Sequence, residues 1–363
     1  MQVAPYSQYL KQVEQFIRAN RTFVSQDRES EIAMNMPFEC GTHVRDIGML
    51  LVHGLGDSPY FFRDVAKSLC QAGIRVRTLL LPGHGTKPGD MLTVNYEQWQ
   101  SETNFHIEVF SQKVDTLFIG GFSTGANLTT IASFYRDDIA GLVHFSPAFK
   151  SRFFVSRLAP YIDSLFPWPN VENEDNPSRY NSTAMPGFAA YQESVNRLQH
   201  LFNQRSESQR VLKLPVLMVL AEQDSVVDTE VVAKQFTQNF THQSKCLIWQ
   251  GETPPAVPDN QVIMQTMKLP ARHISAASHM SALFSPDNSL YGAQSRFRIC
   301  DNGQGSEREA QCAAGEPVWF GPWGYKEDDK VHARLTYNPY FSDMIRQILA
   351  FTNKSNPNNF CVS

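Results

Sequence analysis

The chain has 363 residues, of which 42% are hydrophobic and 19% are charged, and its formal net charge at pH 7 is −4. This composition supplies enough apolar side chains for a folded core, which excludes an intrinsically disordered protein. The small negative charge makes nucleic acid an unexpected partner, and no apolar run approaches the roughly 20 residues that a transmembrane helix needs.

Residues 1–45 are predicted to form an N-terminal helical arm and a polar linker, because apolar residues recur at helical spacing between Tyr9 and Ile17. From residue 46 to 146, short apolar runs alternate with amphipathic stretches of helical period. The apolar runs predict strands near residues 49–52, 76–81, 116–119 and 141–145. Repeated strand–helix alternation predicts an α/β fold with a mostly parallel central sheet and helices on both faces.

Residues 147–210 interrupt this alternation and are predicted to be a helical insertion. Apolar residues at 154–165 follow one face of a helix, and a polar loop then leads to a second helical stretch. The alternation resumes in residues 211–363, which together with 46–146 are predicted to form the α/β core. Within that part, residues from about 286 to 337 are expected to form a long loop before a closing amphipathic helix.

The most informative motif is Gly121-Phe-Ser-Thr-Gly125, which follows a predicted strand and precedes a predicted helix. Strand, Gly-x-Ser-x-Gly and helix in this order are typical of a nucleophile elbow. The two glycines carry no Cβ, so the chain can turn sharply at Ser123 and present its hydroxyl beside the first amide groups of the helix. By itself the pattern is also compatible with an ordinary Gly/Ser turn, so its interpretation depends on partners elsewhere in the chain.

The strand predicted at residues 215–220 leads to three carboxylates that could orient a catalytic base. Asp224 follows the end of the strand directly and is the expected acid. Glu222 is still within the turn at the strand end, and Asp228 precedes a predicted helix as a cap would. Asp224 is therefore preferred as the residue that orients the base of a serine nucleophile.

Two later histidines are candidates for the base. His279 lies in a turn of small residues near the end of the predicted sheet. His273 falls in a predicted strand, where a structural histidine is the ordinary outcome. His279 is therefore the expected base, and Ser123, Asp224 and His279 then occur in the chain order of an α/β-hydrolase triad.

An oxyanion that forms at the attacked carbonyl needs two preorganised donors. The backbone N–H of Thr124, directly after the candidate nucleophile, is the first. The second is expected from the turn His53-Gly-Leu-Gly-Asp-Ser58, which follows an early predicted strand. Its two glycines allow the loop to fold back towards the elbow, so the backbone N–H of Leu55 is the candidate.

The chain resembles the α/β-hydrolase superfamily, in its bacterial carboxylesterase and monoacylglycerol-lipase-like branch. Three motifs carry the resemblance, which covers about residues 46–353: His53-Gly-Leu-Gly-Asp-Ser-Pro59, Leu80-Leu-Pro-Gly-His-Gly-Thr86 and Gly121-Phe-Ser-Thr-Gly125. The resemblance implies that residues 147–210 form a cap over the serine and that His84 is structural rather than the base. Two features depart from it: the segment 251–271 is longer than in compact esterases, and no early edge strand is evident in residues 22–47.

The cap implied by the resemblance contains aromatic residues that are expected to line or roof an apolar cleft: Phe153, Phe154, Tyr161, Phe166 and Trp168. Some of them could instead pack the cap onto the sheet. An apolar roof suits an acyl chain, so the expected activity is hydrolysis of small-molecule or lipid-like esters with short to medium acyl chains through an acyl-enzyme on Ser123. Monoacylglycerols and lysolipids belong to this class. Acyl transfer or thioester cleavage by the same triad, and a non-catalytic binding protein with this fold, remain alternatives.

No cofactor or metal is expected, because the sequence has no dinucleotide- or phosphate-binding glycine motif and no Cys/His cluster. Cys300 and Cys312 lie close together in a Gly-rich polar loop. They could form a small disulfide or remain two reduced thiols, and the resemblance favours the disulfide. The first residues lack the apolar core of a signal peptide. A cytoplasmic protein and an exported protein with a preceding leader both remain open, and the oligomeric state is not predicted.

Overall fold

The computed structural model describes residues 5–41, 47–163, 165–204, 212–353 and 361. The helices in these ranges are α1 (Tyr6–Asn20), α2 (Arg28–Asn35), α3 (Arg63–Gln71), α4 (Tyr96–Ser111), α5 (Thr124–Ser133), α6 (Phe154–Ile162), α7 (Met185–Asn203), α8 (Thr229–Asn239), α9 (Ser306–Ala313) and α10 (Phe341–Thr352). The strands are β1 (Glu39–Cys40), β2 (Ile47–Val52), β3 (Arg75–Thr78), β4 (Thr116–Phe122), β5 (Ile139–Phe145), β6 (Val216–Ala221), β7 (Lys245–Gln250), β8 (Val262–Gln265), β9 (Trp319–Gly321) and β10 (His332–Arg334). The boundaries predicted at residues 45–46 and 210–211 fall on or next to residues outside the described ranges.

Eight of these strands form one sheet in the order β1-β3-β2-β4-β5-β6-β7-β8. The pairs β2–β3, β2–β4, β6–β7 and β7–β8 are parallel, and β1 is antiparallel to β3. The mostly parallel α/β sheet that the sequence predicts is confirmed. The edge strand that was not evident in residues 22–47 is β1, which has only two residues and therefore leaves no periodic pattern.

The chain divides into two compact units. The first comprises Met1–Val143 and Phe153–Leu214, and the second comprises His144–Arg152 and Pro215–Ser363. In the first unit every residue of β4 is buried, and in the second every residue of β6 and β7 is buried. Continuous burial is the pattern of parallel strands that are covered on both faces.

In the first unit α1 forms where its apolar spacing predicts, but the predicted linker contains a second helix, α2. Asp27 caps α2 by accepting a hydrogen bond from the Ser30 N–H at 3.0 Å. Glu31 in α2 is 1% exposed and forms an ion pair with the buried Arg21 at 2.9 Å. This helix was not predicted because one of its most buried residues is charged, so the apolar residues alone do not show a helical pattern. A buried charge depends on a partner outside the helix, which the local sequence does not indicate.

In the second unit the loop expected at residues 286–337 contains α9, β9 and β10. The last two strands form a separate parallel ladder. Cys312, Val318 and Ala333 form a small buried core there, against which Phe320 packs. These elements are short, so their sequences lack the periodicity from which a helix or strand is predicted.

The six cysteines of the sequence form three disulfides. Cys40–Cys70 lies in the first unit, and Cys246–Cys361 and Cys300–Cys312 lie in the second. Only the last pair, whose cysteines are 12 positions apart, is a disulfide candidate from the sequence. The partners of the other two pairs are 30 and 115 positions apart, and only the tertiary fold brings them together.

Candidate active site

Ser123 lies at the turn between β4 and α5 with the backbone conformation that an elbow needs. Its φ is 53°, a positive value that is strained for a residue with a Cβ. A Cβ on Gly121 would lie 2.2 Å from the carbonyl carbon of Gly125, and a Cβ on Gly125 would lie 2.0 Å from the carbonyl oxygen of Val52. Both glycines are therefore required by close backbone packing around the serine.

Thr124 is the first residue of α5 and supplies the N–H directly after Ser123. The first N–H groups of a helix have no acceptor within the helix, and they carry the positive end of its dipole. All ten residues of α5 are buried. In such a water-poor setting the Thr124 N–H can stabilise a negative charge beside Ser123 more strongly than it could in water.

The loop after β2 passes against this elbow, since a Cβ on Gly54 would lie 3.1 Å from the Cβ of Ser123. The Gly54 carbonyl accepts hydrogen bonds from Nδ1 of His53 at 2.9 Å and from the N–H of Asp57 at 3.3 Å. A trans peptide directs its C=O and N–H to opposite sides. These two hydrogen bonds therefore set the direction of the Leu55 N–H, the second predicted oxyanion donor.

Gly56, the next residue of this loop, is held on both sides. Its N–H donates to Nε2 of His84 at 3.0 Å, and its carbonyl accepts from the N–H of Tyr180 at 2.7 Å. The Tyr180 hydroxyl in turn accepts from the N–H of Thr86 at 2.7 Å. The role of Tyr180 was missed from the sequence, because a backbone contact between distant segments leaves no local motif.

His53 and His84 are both buried, and burial keeps both neutral. Burial lowers the pKa of His84 to about 4. Burial, together with the neighbouring His84, lowers the pKa of His53 well below its ordinary value. Nε2 of His53 accepts from the N–H of Leu81 at 3.1 Å, as Nε2 of His84 accepts from Gly56, so each ring carries its proton on Nδ1. With Nε2 occupied in this way, His84 has the structural role that the resemblance implies.

In the second unit Asp224 and His279 are in direct contact. Oδ2 of Asp224 lies 2.6 Å from Nδ1 of His279, and the Asp224 side chain is 0% exposed. The other oxygen, Oδ1, accepts from the N–H groups of Val226 at 2.7 Å and Val227 at 2.9 Å. The turn after β6 thus orients both oxygens of the carboxylate, and the carboxylate in this position orients the imidazole of His279.

The alternative acids and the alternative base are engaged elsewhere. Glu222 accepts from the N–H groups of Glu252 and Thr253, and Asp228 caps α8 by accepting from Val231. His273 has a left-handed φ of 52° after a short 3₁₀ turn, rather than the predicted strand conformation, and its ring stacks on Trp319 with centroids 5.2 Å apart. Of the sequence candidates in the second unit, the structure pairs Asp224 with His279.

Two apolar side chains of α6, Leu158 and Tyr161, are exposed. The buried residues of this helix are small, with Ser156 at 2% and Ala159 at 0% exposure, and α6 packs against α7. Three of the predicted pocket residues are largely exposed: Phe153 at 44%, Tyr161 at 78% and Phe166 at 61%. Trp168 is partly buried, and the side chain of Phe154 lies outside the described set. Phe153, Tyr161 and Phe166 are thus exposed rather than enclosed. Helical spacing identifies the face of a helix but not the direction in which it points.

Within the described residues, no cluster of three His, Cys, Asp or Glu side chains could hold a metal ion. In the same ranges, no helix combines the length and apolar character needed to cross a bilayer.

Residues 45–251 match the family described as serine aminopeptidase, S33, which is more than half of the chain. A thermostable monoacylglycerol lipase from Bacillus sp. (strain H-257) is 27% identical over 188 residues, which cover 50% of this chain and 72% of the lipase. A solved structure from work on LipS and LipT, two metagenome-derived lipolytic enzymes, is 23% identical with a TM-score of 0.50. It covers 59% of this chain and 86% of that chain. The resemblance to the lipase and esterase branch of the α/β-hydrolases is confirmed, and the chain belongs to the serine aminopeptidase S33 family of that superfamily.

Proposed function

We propose that this chain is a serine hydrolase that cleaves carboxylic esters, with Ser123 as nucleophile, His279 as base and Asp224 as the residue that orients the base. The observation that carries the proposal is the buried Asp224 carboxylate 2.6 Å from Nδ1 of His279. A carboxylate in this position keeps Nδ1 protonated and makes Nε2 the nitrogen that accepts a proton. The strained elbow at Ser123 supplies the matching nucleophile.

In the proposed reaction, Nε2 of His279 takes the hydroxyl proton of Ser123 while Oγ attacks the ester carbonyl carbon. The resulting oxyanion accepts hydrogen bonds from the N–H groups of Leu55 and Thr124. Collapse of this intermediate breaks the bond to the alcohol, which leaves with the proton from His279. Water then attacks the acyl-enzyme by the same route and releases the carboxylic acid and Ser123.

The proposed substrates are esters with short to medium acyl chains, including monoacylglycerols and lysolipids. The similarity to a bacterial monoacylglycerol lipase supports this class. Acyl transfer and thioester cleavage would use the same three residues, and a non-catalytic relative would keep the fold without turnover. The products and the labelling behaviour of the protein separate these possibilities.

The test is turnover of p-nitrophenyl esters from acetate to palmitate and of 1-monoacylglycerols, with covalent labelling by a fluorophosphonate probe. Wild-type protein should release free acid and bind the probe. Ser123→Ala should abolish labelling and lower kcat by about 10⁶, because the nucleophile is lost.

The matched control is Ser133→Ala, which removes a buried hydroxyl from the other end of α5. It should retain labelling and turnover. The proposal is wrong if a folded Ser123→Ala variant keeps ester turnover, or if the wild type cleaves only aminoacyl amides or peptides. A folded wild-type protein that neither binds the probe nor cleaves esters would support the binding protein instead.

A further inference from the structure

His279 lies in a segment without regular secondary structure. Between isolated bridges at Ile274 and Phe284 the chain forms a loop, a bend and turns, with no helix or strand. A base must nevertheless stay within hydrogen-bond reach of its partners, and positions on loops are less exact than positions on helices or strands. Contacts outside the segment must therefore supply the accuracy that the 2.6 Å contact with Asp224 requires.

One flank of this segment is attached to residues 286–337, which we call the C-terminal lobe. The N–H of Phe320 in β9 donates to the carbonyl of His273 at 2.7 Å, and the N–H of Ser275 donates back to the carbonyl of Phe320 at 2.9 Å. The backbone that enters the His279 turn is thus paired with the lobe before the turn begins.

Two serine hydroxyls add side-chain attachments on the same side. Oγ of Ser278 donates to the carbonyl of Leu335 at 2.5 Å, and Oγ of Ser275 donates to Oε2 of Glu327 at 2.6 Å. Ser278 is 1% exposed and directly precedes His279, so its bond acts on the peptide that carries the base. From outside the lobe, Oγ of Ser146 donates to the carbonyl of His279 at 2.8 Å. The His279 peptide is therefore held both by the lobe and from outside it.

The lobe is itself constrained, so it can serve as a fixed support. The Cys300–Cys312 disulfide closes it around its small buried core. The side chain of Gln304 donates to the carbonyl of His332 and accepts from its N–H. Glu327, the acceptor for Ser275, is also bound by Nζ of Lys330 at 2.9 Å.

We propose that the C-terminal lobe positions His279, and that Ser278 and Ser275 are the positioning residues that connect the two. This inference rests on the proposed role of His279 as the base. Loss of either hydroxyl removes one of the attachments between the turn and the lobe, while the backbone pairing with Phe320 and the strands of the sheet keep their own hydrogen bonds. The consequence is an imidazole that spends less time in the reactive position, which lowers kcat more than it changes KM.

The test is steady-state hydrolysis of a p-nitrophenyl ester by full-length Ser278→Ala and Ser275→Ala variants. Each should lower kcat about 10- to 100-fold with KM within about twofold of wild type, because small misplacements of a catalytic group have effects of this size. Ser278→Thr keeps the hydroxyl and should retain kcat within about threefold. Ser289→Ala removes an exposed serine of the same lobe and is the matched control, for which both constants should be unchanged.

Thermal unfolding of each variant separates positioning from folding. If Ser278→Ala does not fold, the inference is tested on Ser275→Ala alone, by the same fall in kcat with KM nearly unchanged. A folded variant with wild-type kcat overturns the inference, whether KM is unchanged or raised. His279→Ala distinguishes the two levels of failure: if it keeps ester turnover, the proposed function fails. If it loses turnover while the serine variants keep theirs, only the positioning by the lobe fails.

Discussion

Replacing His84 by glutamine removes a buried titratable base that contacts the loop after β2, but keeps a side-chain acceptor for the Gly56 N–H. In the wild type that N–H donates to Nε2 of His84 at 3.0 Å. The acceptor exists only while His84 is neutral, since an imidazolium has donors on both ring nitrogens. Glutamine does not titrate, so the variant isolates the effect of protonation from the effect of the hydrogen bond.

The size of the pH effect on stability follows from the pKa of His84, which burial lowers from 6.5 to about 4. Below pH 6.5 the unfolded chain takes up a proton at this histidine, whereas the native protein does not do so until about pH 4. The free energy of unfolding should therefore fall as the pH falls through this window, by about 1.4 kcal/mol per pH unit and about 3 kcal/mol in all. Above pH 6.5 the contribution is constant. The pKa of His53 shifts in the same direction, and its largest cause, burial, is the same in the wild type and the variant; only the smaller effect of the neighbouring His84 is lost.

Urea unfolding followed by tryptophan fluorescence between pH 4.5 and 7.5 measures this slope. Below pH 6.5 we expect His84→Gln to have a shallower dependence of unfolding free energy on pH than the wild type, by about 1.4 kcal/mol per unit, and above pH 6.5 we expect no difference in slope. Ester turnover of the variant at pH 7 should persist, because the loop keeps its acceptor. His200→Gln removes an exposed histidine of α7 as a matched control and should leave the slope unchanged. Equal slopes for the wild type and His84→Gln would refute the argument that the buried imidazole stays neutral.

Two further predictions concern packing and cross-links. Gly125→Ala should destabilise the protein by about 3 kcal/mol or prevent folding, because its Cβ would lie 2.0 Å from a backbone carbonyl. Gly89→Ala is the control, since its Cβ would meet nothing within 4 Å; urea unfolding should show a change below about 0.5 kcal/mol, and equal effects of the two substitutions would contradict the prediction. Replacing Cys40 and Cys70 by alanine should lower stability by about 4 kcal/mol, since the disulfide closes a loop of 30 residues. Thermal unfolding with and without reductant checks this, and an unchanged wild-type Tm after reduction would count against it.

The features that could be predicted from the sequence are those that depend on neighbouring residues in the chain. Alternating apolar runs predicted the parallel sheet, and the Gly-x-Ser-x-Gly spacing predicted the strained turn at Ser123. Both patterns are local, because a buried strand and a tight turn each require particular residue types at adjacent positions. The spacing of apolar residues also located α1 and α6.

Residues whose roles depend on distant partners could be distinguished only in the folded protein. Three carboxylates follow β6, and Asp224 is distinguished by the hydrogen bonds it makes to His279 and to two backbone amides. The exposure of Tyr161 on α6, the partner of Cys246 and the contact between Ser278 and Leu335 likewise depend on the tertiary fold. Each depends on a distance between segments that are far apart in the chain, and such a distance has no periodic or local signature in the sequence.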